Sequence, residues 1–220
     1  MSEDNADLQQ WTAVERVILQ RRSIRAFKKK PLPDFLLRRI LEAGRFAPSA
    51  GNCQPWKFVV VNNAQLIAEM ERDAIRVAKL LMWGLDYTRS PTRRRLLRPL
   101  ARLVIRIWSN EFHPVPMGLL QQIARDKAPA FHGAPTLILL LEDCRGVSRP
   151  AVDIGICGQN MVLAAHSLGL GTCWVSFCKP LIYDPRWRQR LGLRYPYQLV
   201  SSIATQTHLD MLRCKTSNKQ

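Results

Sequence analysis

Two arginines and a serine near the start of the chain have the types and spacing of an anion-binding group. Arg21, Ser23 and Arg25 occupy alternate positions of the segment RRSIRAF. In an extended backbone alternate side chains point to the same side, so two guanidinium groups and one hydroxyl would share a face. Such donors suit a phosphate dianion. A solvated basic loop at a helix end explains the same residues, and the spacing alone leaves both interpretations open.

A second polar group lies just before an apolar run, in APSAGNCQPWKFVVV. Pro48 and Gly51 break a predicted helix there, and Ser49 and Asn52 offer short polar side chains at the break. The run that follows predicts a buried strand, and polar groups at the edge of a rigid strand are well placed to hydrogen-bond a heterocycle. Ordinary turn chemistry, with Asn52 capping a loop, is the alternative.

The hydrophobic pattern that must position these groups predicts helices and strands in mixed order, an α+β domain without internal repeats. It predicts helices near 11–21, 34–47, 65–82, 150–168 and 185–192, and strands near 57–61, 136–141, 172–175 and 197–205. Both of the first two strands lack polar alternation, which predicts central strands buried on both faces. Gly155 and Gly158, inside the long helix, predict close backbone approach of another helix, and a buried helix at a subunit interface is the natural interpretation.

Composition narrows the class of protein. The chain has 220 residues, 47% of them hydrophobic, and a formal net charge of +16, which fits one folded domain with an anionic partner: nucleic acid, an anionic membrane or a phosphorylated small molecule. The first ten residues are acidic and polar, and no apolar run approaches the ~20 residues that cross a bilayer, so we expect a cytoplasmic protein. Scattered cysteines and isolated histidines predict no metal site.

Four blocks of sequence together indicate a family. RRSIRAF, APSAGNCQPWKFVVV, GAPTLILLL and QNMVLAAHSLGLGTCWVSF, in this order and at these separations, closely resemble the FMN-dependent nitroreductase family. The resemblance implies a nitroreductase fold, in which helices flank a central, mainly antiparallel sheet. It also implies a tight homodimer that binds FMN in a cleft between its subunits.

The resemblance assigns roles to individual positions. The residues matched to the phosphate and ribityl end of FMN are Arg21, Ser23 and Arg25, with Arg22 beside them. The residues matched to a segment that contacts the flavin from the other subunit are Pro48, Ser49 and Asn52. The residues matched to a strand end along the isoalloxazine ring, where a backbone N–H faces flavin N5, are Trp174, Val175 and Ser176. No side-chain acid or base matches a catalytic position, because the flavin itself carries the hydride.

The implied function is an oxidoreductase that transfers a hydride from NAD(P)H through FMN to a nitroaromatic, a quinone or another conjugated acceptor, in a ping-pong cycle. Two alternatives remain. One is a flavin-binding protein without turnover whose basic helix binds a membrane or an anion. The other is a specialised flavin enzyme, such as a dehydrogenase or a reductive dehalogenase. Nucleic-acid binding is disfavoured because the chain lacks interleaved aromatic and basic residues.

The chain departs from the family pattern at its carboxy-terminal arm, at about 205–220. Family members commonly have a GYP-like turn followed by a basic residue that reaches the FMN phosphate. Here Arg213 and Lys215 are the candidates for that role. A frayed polar tail is the alternative.

The second departure is an arginine-rich stretch from Tyr87 to Trp108, within a predicted basic helical insertion at about 84–118. It holds seven arginines and no acidic residue: Arg89, Arg93, Arg94, Arg95, Arg98, Arg102 and Arg106. The four-residue spacing of Arg98, Arg102 and Arg106 predicts one basic helical stripe opposite apolar residues. This stripe could lie on an anionic membrane, bind an acidic partner, receive an anionic substrate or the NADPH 2′-phosphate, or simply face solvent.

Overall fold

A four-stranded sheet organises the chain. The computed structural model describes residues 11–85, 90–92, 95–96, 98–99, 103, 106 and 114–207. Its strands are β1 (Trp56–Val61), β2 (Thr136–Asp143), β3 (Leu170–Val175) and β4 (Tyr197–Thr207), in the order β1-β2-β4-β3. All three strand pairs are antiparallel, which confirms the predicted α+β class and the mainly antiparallel sheet.

Six α-helices accompany the sheet in the described ranges. They are α1 (Ala13–Gln20), α2 (Asp34–Arg45), α3 (Ala64–Leu85), α4 (Pro114–Ala124), α5 (Pro150–Ser167) and α6 (Pro185–Arg190), with 3-10 turns at Ala50–Asn52 and Lys179–Tyr183. The chain divides into two compact units, one formed by 1–67 with 131–220 and the other by 68–130. A single domain with a basic helical insertion at about 84–118 stays a prediction.

The core of the first unit lies between the sheet and two helices. Ile40 of α2 and Met161 of α5 belong to one buried cluster with Ile138 and Leu140 of β2 and Ile203 of β4. The predicted central position of β2 is confirmed, since Thr136 to Leu141 are all buried. The same prediction for β1 was wrong, because β1 is an edge strand with mostly half-buried residues. An apolar run indicates that both faces of a strand are packed against other residues. It does not indicate that the strand has a hydrogen-bonded neighbour on each edge.

Gly158 and Gly44 each allow another segment to pack closely against a helix, but the neighbour of Gly158 is not the helix that the sequence predicted. A Cβ added at Gly158 would lie 2.5 Å from Cζ2 of Trp174, so this glycine accommodates the indole ring of β3 and not a second helix. The close approach between α5 and α2 uses Gly44, where an added Cβ would lie 2.5 Å from Cε of Met161. Gly155, by contrast, has no atom within 4 Å of an added Cβ.

We expect Gly158→Ala to lower the free energy of unfolding by about 1–3 kcal/mol, because the new methyl group must displace the Trp174 ring. Urea unfolding followed by circular dichroism measures the change. Gly118→Ala in α4 is the matched control, since an added Cβ there meets nothing within 4 Å. That control should gain up to about 1 kcal/mol from helix propensity. Equal stability of the two variants would contradict the proposed packing of Trp174 on α5.

Candidate functional site

The RRSIRAF segment lies along the outer edge of β3. Helix α1 ends at Gln20, and Ser23 then forms an isolated parallel bridge with Thr172. The backbone N–H of Ile24 donates to the carbonyl oxygen of Thr172 at 2.9 Å. Gly171 permits this contact, because a Cβ added there would lie 3.2 Å from the side chain of Ile24. The predicted extended conformation is therefore present, with Arg21, Ser23 and Arg25 at alternate positions.

The arginines of this segment differ in their partners. Nη1 of Arg22 donates to the carbonyl oxygens of Leu19 at 2.7 Å and of Arg21 at 3.0 Å, so this side chain caps the end of α1. Arg21 is half-buried and Arg25 is exposed. Neither forms an ion pair with any other residue that the structure describes. Two guanidinium groups therefore remain available to an anion.

The positive charges of these arginines affect the pKa values of a histidine near the end of α5 and of a cysteine in β3. His166 is buried, and burial lowers its pKa; the positive charges of Arg21 and Arg22 lower that pKa further. Burial raises the pKa of the Cys173 thiol, while Arg25 and Arg21 oppose that shift. His166 is isolated from the other histidines in the sequence, and only the folded chain brings it beside the arginines. An anion bound here would meet uncompensated positive charge.

The strand end predicted to accompany a flavin ring lies on the same edge as RRSIRAF. Because the carbonyl of Thr172 points outward to Ile24, backbone alternation also directs the N–H of Trp174 toward this edge. Strand β3 is the last strand of the sheet, so the edge beyond Thr172 pairs with no further named strand. That a backbone N–H of this segment faces flavin N5 stays a prediction.

The next two residues shape the end of the strand. Val175 is buried, and its carbonyl oxygen accepts a hydrogen bond from Oγ of Ser202 at 2.7 Å. Ser176 is exposed, with its Oγ 3.3 Å from Oγ of Ser201. Ser201 and Ser202 of β4 thus hold the end of β3 in place through hydrogen bonds. Sequence reasoning missed both residues. Their signal was the polar pair SS inside an otherwise apolar strand.

The polar loop at Pro48–Asn52 is held by different contacts. The backbone N–H of Ala50 donates to Oδ2 of Asp153 at 3.3 Å, which anchors the loop to the first turn of α5. Oγ of Ser49 accepts from the N–H of Gln54 at 2.9 Å. Gly51 and Asn52 both have positive φ, 58° and 55°, a conformation that asparagine tolerates better than most residues. Pro48 and Asn52 are exposed, so the loop presents Asn52 to solvent.

The two halves of the predicted site lie at opposite ends of α5. The loop binds Asp153 near the start of the helix, whereas the arginines act on His166 near its end. Thirteen residues of helix separate the two positions, which corresponds to about 20 Å. Within one chain the structure therefore brings 21–25 together with 174–176 but not with 48–52. Asp153, which is buried, was also missed by sequence reasoning. Its signal was a single acidic residue within a predicted apolar helix.

A cleft of about 520 Å³ adjoins the polar loop and not the arginines. Its walls are Cys53, Gln54, Pro55, Trp56, Asp143, Arg145, Gly146 and Tyr197. Arg145 and Asp143 form an ion pair with Nη2 and Oδ2 2.7 Å apart, and hydrogen bonds from Arg145 lower the pKa of the Asp143 carboxyl. The charges of the cleft are thus largely satisfied within it, unlike those of Arg21 and Arg25.

The remaining candidate residues belong to the arginine-rich stretch and to the carboxy-terminal arm of the sequence. Arg98 and Arg106 are exposed on helical backbone. Arg102, Arg213 and Lys215 lie outside the described residues. Among the residues that the structure does describe, no three His, Cys, Asp or Glu side chains are grouped as a metal ion would need. None of the helices in these ranges combines the length and apolar character needed to cross a membrane.

Comparison with known proteins decides the family. The profile described as the Nitroreductase family matches residues 18–205. The chain belongs to the nitroreductase family. Its relative Nitroreductase NfnB of Mycolicibacterium smegmatis is 30% identical over 171 residues, which cover 73% of this chain and 69% of that protein. The aligned segments span between 22% and 69% of the first four curated relatives.

Solved structures show the nitroreductase fold. A nitroreductase with bound FMN from Desulfitobacterium hafniense DCB-2 superposes with a TM-score of 0.67, at 24% identity over 91% of each chain. An iodotyrosine deiodinase bound to FMN and 3-iodo-L-tyrosine superposes with a TM-score of 0.60, at 20% identity over 90% of each chain. The nitroreductase fold is therefore established for this chain, and proteins of more than one activity share it.

Proposed function

We propose that the chain is an FMN-dependent oxidoreductase that oxidises NAD(P)H and reduces a nitroaromatic, a quinone or another conjugated acceptor in alternating half-reactions. The observation that carries this proposal is the edge of β3, where two arginines that have no acidic partner among the described residues precede an outward-directed backbone N–H. Bound FMN would supply the redox chemistry by accepting a hydride and later donating it. The chain would bind and orient the flavin and its two substrates.

The residues at this edge fit the chemistry of FMN. Arg21 and Arg25, with the hydroxyl of Ser23 between them, would hold the phosphate, since guanidinium groups form strong charge-assisted hydrogen bonds to phosphate oxygens. The N–H of Trp174 would then donate to the flavin ring farther along the edge. An acidic residue is absent from the whole segment RRSIRAF, which also favours an anionic ligand.

We propose further that the site is completed by a second copy of the chain. The polar loop and the arginine edge lie about 20 Å apart along α5. A flavin with its phosphate at the arginines and its ring beside Trp174 would therefore lie away from the loop of its own chain. A two-fold axis that sets two α5 helices antiparallel would bring the start of one beside the end of the other. The loop with Pro48, Ser49 and Asn52 would then meet the arginine edge of its partner.

Exposed apolar residues support this dimer. Helix α1 has eight residues and none is buried; Val14 is 68% exposed and Ile18 is 49% exposed. So short a helix is unstable in water without tertiary packing. On α5, Val152 and Ile156 are also exposed, on the side where Gly155 leaves open space. A partner that covered both helices would remove this apolar surface from water.

Purified protein is expected to bind FMN and to have the absorption spectrum of an oxidised flavin. Anaerobic addition of NADH or NADPH should bleach that spectrum, and a quinone or a nitroaromatic should restore it. Steady NAD(P)H oxidation with the acceptor supports the enzyme, whereas bound FMN that resists reduction supports the flavin-binding alternative. A preparation that binds no added FMN would overturn both.

Reductive dehalogenation is the second candidate reaction, because an iodotyrosine deiodinase shares the fold. It differs only in the acceptor, so the same reduced protein serves for the test. Release of halide from a halogenated phenol, at a rate above that of nitroaromatic reduction, would favour it.

A further inference from the structure

Two arginines of helix α6 have partners within the protein. Arg186 forms an ion pair with Asp184, the residue that caps the start of the helix. Arg190 lies over the ring of Trp187, with its Cζ 4.8 Å from the ring centroid. Asp184 is the only acidic residue between 154 and 209, so no other carboxylate of this part of the sequence can neutralise a further arginine.

Arg188 and Arg194 have no such partners. Both are exposed, and neither forms an ion pair or a ring contact with a residue in the described ranges. They line one cleft of about 380 Å³ together with Pro185 and Gln189, and no carboxylate is among these walls. Two like charges in one cleft repel each other, and an anion between them would turn that repulsion into attraction.

The backbone holds these two arginines at one place. Helix α6 ends in a Schellman motif, in which the N–H of Leu193 donates to the carbonyl oxygen of Arg188 at 2.8 Å. The N–H of Gly192 donates to the carbonyl oxygen of Gln189 at 3.3 Å, and Gly192 has the positive φ, 64°, that this motif requires. The turn brings Arg194 back to the cleft that Arg188 lines, so the site is formed by the fold itself and needs no rearrangement of the backbone.

We propose that this cleft binds the phosphate group of a small phosphorylated molecule, at a site separate from the arginines of RRSIRAF. Guanidinium groups form bidentate, charge-assisted hydrogen bonds to phosphate oxygens. The side-chain amide of Gln189 would donate to a third oxygen. The volume of the cleft lies within the range of small-molecule sites, about 300–1,000 Å³.

A bilayer or a nucleic acid fits the cleft less well. Among its described walls only Pro185 is apolar, so the cleft offers no large side chain that would enter the acyl region of a membrane. A single-stranded nucleic acid is bound through aromatic side chains on which its bases stack, and these walls include none. Two guanidinium groups and one amide match a single phosphate group.

Calorimetric titration of the full chain with inorganic pyrophosphate, in the presence of excess FMN, tests this proposal. We expect a dissociation constant of about 1 mM or below, since two charge-assisted hydrogen bonds suffice for that affinity. The double variant Arg188→Gln/Arg194→Gln should weaken binding at least about 100-fold, because each lost bond costs about tenfold or more. The matched control is Arg186→Gln/Arg190→Gln, which removes the same charge from the same helix but leaves both cleft arginines in place. It should bind pyrophosphate as the parent does.

A second control locates the bound pyrophosphate. Arg21→Gln/Arg25→Gln should retain the binding with or without FMN, so the result does not depend on the proposed flavin chemistry. Loss of binding in that variant would place pyrophosphate at the edge of β3 and overturn the proposal. An equal loss in Arg186→Gln/Arg190→Gln would overturn it as well, because only net charge would then matter.

Two further results would also contradict a small-molecule site. One is a parent protein that binds no pyrophosphate. The other is binding of single-stranded DNA or of phosphatidylglycerol vesicles that is lost in Arg188→Gln/Arg194→Gln and that millimolar pyrophosphate does not displace. That result would assign the two arginines to a macromolecular surface.

Discussion

Replacement of Arg21 and Arg25 by glutamine should weaken FMN binding by at least about 100-fold. Each charge-assisted hydrogen bond contributes about 1.5–3 kcal/mol, and the two arginines form no ion pair with described residues that could compensate. Glutamine keeps polarity and most of the side-chain length, so the loss reports the charge. Quenching of flavin fluorescence on titration measures the dissociation constant.

Riboflavin separates phosphate binding from general damage to the site. It lacks the phosphate, so Arg21→Gln/Arg25→Gln should change its affinity far less than that of FMN. The variant Arg188→Gln/Arg194→Gln, with the same change in net charge, should bind FMN as tightly as the parent. A comparable loss for riboflavin and FMN would argue that the arginines support the fold and not the phosphate.

Two inactive variants should restore activity to each other when their subunits are mixed. One carries Arg21→Gln/Arg25→Gln, and the other carries Asn52→Gly, which keeps the positive φ of 55° but removes the side chain. If each site takes its arginines from one subunit and its loop from the other, every mixed dimer contains one intact site. Random reassortment of equal amounts should then restore about a quarter of the sites.

The measurement is NAD(P)H oxidation after the two variants are unfolded together and refolded, or after they are expressed together. Each variant treated alone is the control, and neither should recover. Activity that stays at the sum of the two separate values would mean that both groups act within one chain, or that the chain is a monomer. Recovery close to one quarter of the parental activity would support a site shared between subunits.

The local elements were largely predictable from the sequence. The order of helices and strands, the break after α2 at Pro48 and the extended conformation at Ser23 all follow from short-range patterns. Such patterns report which residues share a face and where a backbone must turn, because both depend on neighbours within a few positions. The four sequence blocks also sufficed to indicate the family, which the profile match over 18–205 confirms.

The packing of segments that are far apart in the sequence could not be predicted in the same way. The apolar run of β1 could not reveal that β1 is an edge strand, and Gly158 could not reveal that its neighbour is the ring of Trp174. Both depend on which distant segment packs against the residue. His166 and Asp153 were missed for the same reason, since their partners lie far away in the sequence.

The sequence by itself determined the chemistry of the candidate site: two arginines and a serine at alternate positions, a polar loop and an apolar strand end. Only the tertiary structure decided their arrangement, in which the arginines and the N–H of Trp174 share the edge of β3 while Asn52 lies at the far end of α5. Side-chain types and local spacing can be read directly from the sequence. The 20 Å between the two groups is set by the length of α5 and the packing around it, which no short stretch of sequence contains.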